Sequence, residues 1–198
     1  MSTTGGRDAT DGWQPRRAAV VISGPPASGK STVAQALHDR LGWPLLARDG
    51  LKEALFDTLG TGDREWSRRL GGASWRLFVD MAQILFATGG PFLLDNNFRP
   101  PVRDIITLAE RGRYQLLEVR CATPDALLID RFRARWESGA RHRGHADAEG
   151  ERDFAHALSD GMYREESLGL GPVLVVDTRR STHRVVADIL EWLPAVLT

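Results

Sequence analysis

The sequence predicts a three-layer α/β protein, in which a parallel, mostly five-stranded sheet carries helices on both faces and a small lid. Three observations predict it. Short apolar runs alternate with longer stretches of helical period through most of the 198 residues. The first run passes at once into a Gly-rich turn that opens a helix. Two later runs end at or beside an aspartate, where a parallel sheet would present its carboxyl edge.

The elements follow in order. Residues 1–16 are polar, aperiodic and rich in Gly and Thr, so a flexible tail is expected there and a single domain over 17–198. Residues 18–22 (AAVVI) are continuously apolar and bounded by glycine and proline, as a strand covered on both faces requires. Val33, Leu37 and Leu41 recur at helical spacing up to Gly42, a residue suited to end a helix. A second strand is expected at 44–47 and a helix over 51–59. Leu70, Ser74, Leu77, Phe78, Met81 and Leu85 share one face of a longer helix closing at Gly89 and Gly90. Further strands are expected at 91–94, 114–121 and 173–176, with helices over 101–111, 125–136, 151–163 and from 181 onward. Residues 138–150 read as a polar loop rich in Gly, Arg and His, and the lid is placed at about 131–150.

Composition narrows the function. With 42% hydrophobic and 26% charged residues the chain reads as globular, neither disordered nor a coiled coil. No apolar run approaches the roughly 18 residues of a membrane span, and the polar N-terminus predicts no secretory leader. Twenty-six basic residues balance twenty-six acidic ones, which argues against a broad basic face for nucleic acid. The single cysteine, Cys121, excludes an intrachain disulfide and fits a cytoplasmic protein. All basic residues but Lys30 and Lys52 are arginine, so an arginine here carries little information by itself, whereas the two lysines stand out.

Gly24-Pro25-Pro26-Ala27-Ser28-Gly29-Lys30-Ser31 fills every fixed position of G-x-x-x-x-G-K-[ST], and Thr32 continues it. Its glycines let backbone N–H groups turn inward around phosphate, and the following helix adds the positive end of its dipole. Lys30 is expected at the β- and γ-phosphates and the Ser31 hydroxyl on Mg²⁺. ATP binding follows, with GTP equally compatible with the loop.

The strand ends carry the chemistry beyond binding. Arg48 and Asp49 follow the second strand, where a carboxylate can accept the proton of a hydroxyl attacking the γ-phosphate. Asp49 before Gly-Leu-Lys-Glu suits a helix cap as well. Asp95 ends the third strand as a candidate Mg²⁺ ligand, or a turn residue. Arg131 and Arg135 lie one helical turn apart and would neutralise a transferring phosphoryl group, or form a solvated face paired to acids.

The set GPPASGKS, ARDGLK, LLDNNFRPPVR and RFRAR resembles the kinase domain of phage polynucleotide 5′-kinase and its zeta-toxin-like and chloramphenicol-phosphotransferase-like relatives, over about 18–177. The resemblance implies a P-loop NTPase fold with Asp49 as general base. It also implies acceptor contacts at Lys52, Asn97 and Arg103, and lid arginines at Arg131 and Arg135. Asn96 departs from the family's small hydroxyl residue, and the loop containing His142 and His145 has no counterpart in the polynucleotide enzymes. That loop reads as a mobile contact to nucleotide or acceptor rather than as a zinc site.

The leading expectation is an ATP- and Mg²⁺-dependent kinase acting on a hydroxyl of a small acceptor, such as a nucleoside, sugar or antibiotic. Trp66 and Trp75 are possible walls of its pocket, although aromatic residues at helical spacing are more often core. A polynucleotide 5′-kinase, drawing on Lys52, Arg99, Arg103, Arg141 and Arg143 as phosphate contacts, is the alternative enzyme. A non-catalytic nucleotide-binding regulator is the alternative from another class, and it would need no base at Asp49.

Overall fold

A computed structural model describes residues 17–98, 102–145, 147–163 and 167–197; the expected tail at 1–16 and Arg99 lie outside them. The architecture is the α/β one expected, with five strands all parallel in the order β2-β3-β1-β4-β5. Strand β1 (Ala18–Ser23) is central, between β3 (Phe92–Asp95) and β4 (Gln115–Ala122). Strands β2 (Leu45–Ala47) and β5 (Val173–Asp177) extend the two sides. Helices α1 (Lys30–Leu41), α2 (Arg48–Leu59), α3 (Arg64–Thr88), α4 (Arg103–Gly112), α5 (Asp125–Glu137), α6 (Asp147–Ser159) and α7 (Thr182–Val196) make the connections.

The continuous apolar run of β1 is explained by its two faces. Ala18, Val20 and Ile22 pack with Val33 and Leu37 of α1 and Val185, Ile189 and Leu193 of α7. Ala19 and Val21 face the opposite way, against Phe78, Ala82 and Phe86 of α3 and Ile105 of α4. A strand with period-2 side chains and two covered faces has no polar position to spare. Phe78 is fully buried in this layer, and Trp75 stacks on it with ring centroids 5.5 Å apart. A third cluster, from Leu128 and Phe132 of α5 and Phe154 and Leu158 of α6, lies outside the two main ones.

Two buried groups on β4 complete the interior. Glu118 is fully buried yet satisfied, accepting from the Ser23 hydroxyl at 2.6 Å, the Ser167 hydroxyl at 3.0 Å and the Leu168 N–H at 2.7 Å. The Cys121 thiol is also sealed from solvent, and burial pushes it up to about 12.

Several boundaries move from the expected ones. Helix α2 begins at Arg48 rather than residue 51, which suits an acid in its first turn at the positive end of the dipole. Helix α3 starts earlier than its apolar stripe, because the Asp63 side chain caps it by accepting the Trp66 N–H at 2.8 Å. The polar loop at 138–150 is shorter than expected: a 3-10 turn spans Arg143–His145 and α6 begins at Asp147. No helix among the described residues is long and apolar enough to cross a membrane.

Candidate active site

Register brings the expected residues to one edge. Ile22 of β1 and Ala47 of β2 both align with Asp95 of β3, so the Gly-rich loop, the start of α2 and Asp95 leave the sheet at the same level. Gly24 must be glycine: its φ is 142° and a Cβ would stand 2.7 Å from the Cys121 carbonyl oxygen. Ala27 and Gly29 also have positive φ, at 63° and 82°, which folds the loop back onto the first turn of α1. That turn has neither a side-chain cap nor an acidic residue, so its N–H groups are left for an anion.

The cleft beside the loop, about 310 Å³, is lined by Ala27, Gly29, Lys30, Ser31, Thr32, Asp49, Glu53, Arg131, Arg135 and Arg141 among others. Arg131 and Arg135 are partly buried and both line it. Arg131 reaches across to Thr178, with Nη2 donating to the carbonyl oxygen at 3.0 Å and Nη1 to the hydroxyl at 3.4 Å. Arg135 is tied to Asp147 at 2.6 Å. A neighbouring cleft of about 270 Å³ runs from Gly29, Thr32 and Arg131 to Thr178, Thr182 and Val185.

On the other side a smaller space, about 70 Å³, is walled by Pro26, Lys30, Arg48, Asp49, Asp95, Asn96, Asn97, Arg135 and Arg141. Asp49 sits in the first turn of α2, and Ala47 occupies the N-cap. The Asp49 carboxylate pairs with Arg141 at 2.9 Å. Burial pushes its carboxyl up, but the groups that oppose it, Arg141 and then Lys30 foremost, hold it well below the usual carboxylate range. Asp95 is almost fully buried, and its Oδ1 has no partner. Burial raises its carboxyl, opposed by Lys30 and by a hydrogen bond with Ser31. An orphaned carboxylate oxygen next to a hydroxyl is a donor set that fits hydrated Mg²⁺.

Two expected acceptor contacts stand off this space. Lys52 points into the seam between α2 and α3, donating to the Ser67 hydroxyl at 2.9 Å with its ammonium 5.3 Å from the Phe56 ring centroid. Burial, and then Arg48, lower it to about 8. Arg103 is exposed in the first turn of α4. Trp66 is no wall either, since its indole N–H donates to the Gly60 carbonyl at 2.9 Å. Trp75 reaches the site only through Arg48, whose guanidinium lies 5.9 Å from its ring.

The histidine loop docks on α2. The His142 ring stacks on Phe56 with centroids 5.3 Å apart and an interplanar angle of 6°. His145 meets the same ring edge-on at 5.5 Å. Its Nδ1 lies 3.0 Å from Arg141 Nη2, which can only donate, so Nε2 carries the proton and gives it to Glu53 at 3.0 Å. Burial, then Arg141, hold His145 neutral, down to about 3. Sequence reasoning offered Arg141 as a phosphate contact of the polynucleotide alternative and the His145 loop as a mobile contact, but not the pairing of Arg141 with Asp49, the place of Glu53 at the site, or the bond from His145 to Glu53. The Arg-rich composition hid the first, and all three depend on a fold-back of about 90 residues.

Gly144 makes this docking possible. A Cβ there would collide with the fully buried Phe56 ring, which has no room to yield. Gly144→Ala is therefore expected to cost about 1–3 kcal/mol, as overpacking does. A urea titration would show this as a lower unfolding midpoint, and an unchanged midpoint would mean that the turn does not rest on Phe56 in solution.

A parallel sheet in this order, with the phosphate loop after its central strand and acids on the adjoining edge, defines the P-loop class. The chain belongs to the AAA domain family, which matches residues 20–153. Several of its structural relatives are named as kinases. A protein of Chloroflexus aurantiacus J-10-fl named as a candidate kinase is 33% identical, with a TM-score of 0.76 over 91% of this chain and 98% of that one. A gluconokinase of Sinorhizobium meliloti 1021 is 14% identical, with a TM-score of 0.57 over 91% and 94%. A shikimate kinase of Acinetobacter baumannii, in complex with shikimate, is 19% identical with a TM-score of 0.53 over 90% and 93%. The latter two share the fold. No functionally curated protein matches the chain.

Proposed function

We propose that the protein is an ATP-dependent kinase that transfers the γ-phosphoryl group to a hydroxyl of a small acceptor. The acceptor class is a nucleoside, a sugar or an antibiotic, and GTP is the alternative donor. The observation that carries this reading is the convergence of Asp49, Lys30, Asp95 and Arg141 on one small space beside the phosphate loop. A nucleotide-binding regulator has no use for a carboxylate on the acceptor side.

The triphosphate lies along residues 24–32, and its nucleoside end extends toward Arg131 and Thr178. Lys30 meets the β- and γ-phosphates. Ser31 and Asp95 would hold Mg²⁺, which would offset the phosphate charge when bound. The acceptor enters against Arg48, Asn96 and Asn97 and offers its hydroxyl to Asp49. An oxygen–phosphorus bond forms as the β–γ bridging P–O bond breaks. The hydroxyl proton passes to Asp49, and the electron pair of the broken bond leaves with ADP. Arg135 and Arg141 neutralise the charge spread over the transferring group. A carboxylate held this acidic accepts its proton late, as a loose phosphoryl-transfer transition state permits. The positions of Lys52 and Arg103 support a small acceptor over a polynucleotide, because both phosphate contacts stand off the acceptor space.

Transfer of labelled γ-phosphate to oligonucleotides, nucleosides, sugars and aminoglycosides in parallel tests the reading. A small hydroxylated acceptor should be labelled best. A clear preference for the oligonucleotide, weakened by salt and lost in Lys52→Ala, would replace it with the polynucleotide reading.

The Arg141–Asp49 pair sets the pH dependence. Asp49 works as a base only when ionised, and Arg141 helps keep it ionised far into the acid range. In Arg141→Ala, burial is left with less to oppose it, so the acid limb of the rate profile should move to higher pH by on the order of 1 unit. Activity of Arg141→Ala that falls off with acid no sooner than that of the parent would show that the two are not paired in the working enzyme.

A further inference from the structure

Arg48 is partly buried, and the carboxylate that acts on it, Asp49 beside it in the chain, forms no ion pair with it. It opens α2 on the acceptor side, its Nε is sealed from solvent with no partner, and its guanidinium makes no ion pair among the described residues. Its contacts are neutral ones: Nη2 donates to the Gly71 carbonyl at 2.7 Å, and Nη1 to Asn96 Oδ1 at 3.5 Å. The other arginines of this space each have a carboxylate, Asp147 for Arg135 and Asp49 for Arg141. Desolvating a guanidinium without such a partner is strongly unfavourable, and a fold that retains one leaves a place for an anion.

Asn96 supplies a second, independent donor. It is 5% exposed, and its Oδ1 is used by Arg48 and by the Asn97 N–H, yet its Nδ2 has no partner. Arg48 and Asn96 line the acceptor space and are not among the residues lining the cleft along Gly29–Thr32, which sets them on the acceptor side. Two unanswered N–H donors, one cationic, match a group with several acceptor lone pairs and negative charge. A neutral hydroxyl supplies no counter-charge.

We propose that the acceptor is a hydroxylated oxyanion, either a hydroxycarboxylate or a phosphate monoester, whose anionic group is held by Arg48 and Asn96. Its reacting hydroxyl, on a different carbon from the anion, reaches Asp49. The proposal rests on the kinase reading above and narrows its acceptor. The Asp49 carboxylate on the same wall repels the anion and keeps it on the Arg48 side, so one substrate orientation is selected.

Matched pairs test it with the full chain, ATP and Mg²⁺: gluconate against glucose, and adenosine 3′-monophosphate against adenosine. The anionic member of one pair should be favoured in kcat/KM by about 10²-fold, as two hydrogen bonds to a charged group imply. The pair that shows this identifies carboxylate or phosphate as the source. Arg48→Gln should collapse that ratio, mainly through KM, while Arg48→Lys retains part of it. Thermal melts and the affinity for a non-hydrolysable ATP analogue show that each variant is folded. If Arg48→Gln fails to fold, Arg48→Lys carries the test, with a smaller ratio supporting the proposal and an unchanged one overturning it. Equal or better transfer to the neutral members overturns the proposal and leaves the kinase reading standing. A preference that survives in folded Arg48→Gln also overturns it. No transfer to any acceptor overturns both.

Discussion

Lys30→Ala is expected to abolish phosphoryl transfer, by about 10³-fold or more, in a protein that still folds. Lys30 is the first residue of α1 and lines both the phosphate cleft and the acceptor space, so one ammonium faces donor and acceptor sides together. As charge moves onto the β–γ bridging oxygen, that contact strengthens, and its loss removes several kcal/mol of transition-state stabilisation. The main apolar clusters do not include Lys30, which is why the fold should survive. Steady-state rates with any accepted substrate decide it, and activity within tenfold of the parent would sink the assignment.

Asp49→Asn should lower transfer by about 10²–10⁴-fold and leave nucleotide affinity nearly unchanged. The amide keeps size and polarity but takes no proton, and it weakens the pairing with Arg141. Because Ala47 occupies the N-cap of α2, the substitution removes no cap. Calorimetric titration with an ATP analogue beside the kinetic comparison separates the two roles. Were nucleotide binding to fall in step with the rate, Asp49 would be organising the loop, and the base would lie elsewhere.

The sheet and its loop were legible because their signals are local. A doubly covered strand must be apolar throughout, and the phosphate loop is a run of contiguous residues with fixed types. Asp49 and Asp95 could be read from their positions after strands, since parallel register brings strand ends to one edge. Boundaries were less legible: the start of α2 depends on helix-end electrostatics, and the start of α3 on the Asp63 cap that precedes its apolar stripe. The least legible part is the return of Arg141 and His145 onto Glu53 and Asp49. It follows from a glycine-sized gap over Phe56, a tertiary fact with no periodic trace. Lys52 illustrates the converse, since a lysine in an Arg-rich chain draws notice, yet its ammonium is spent on Ser67.

The placement of Cys121 has a practical consequence. The only sulfhydryl of the chain is sealed in β4 and remains protonated at neutral pH, out of reach of alkylating dyes. A maleimide fluorophore should therefore attach only where a cysteine is introduced, without first stripping the native one. Arg143 is exposed in the turn that rests on Phe56, so a dye on Arg143→Cys would report by its anisotropy whether that turn stays seated as nucleotide is added.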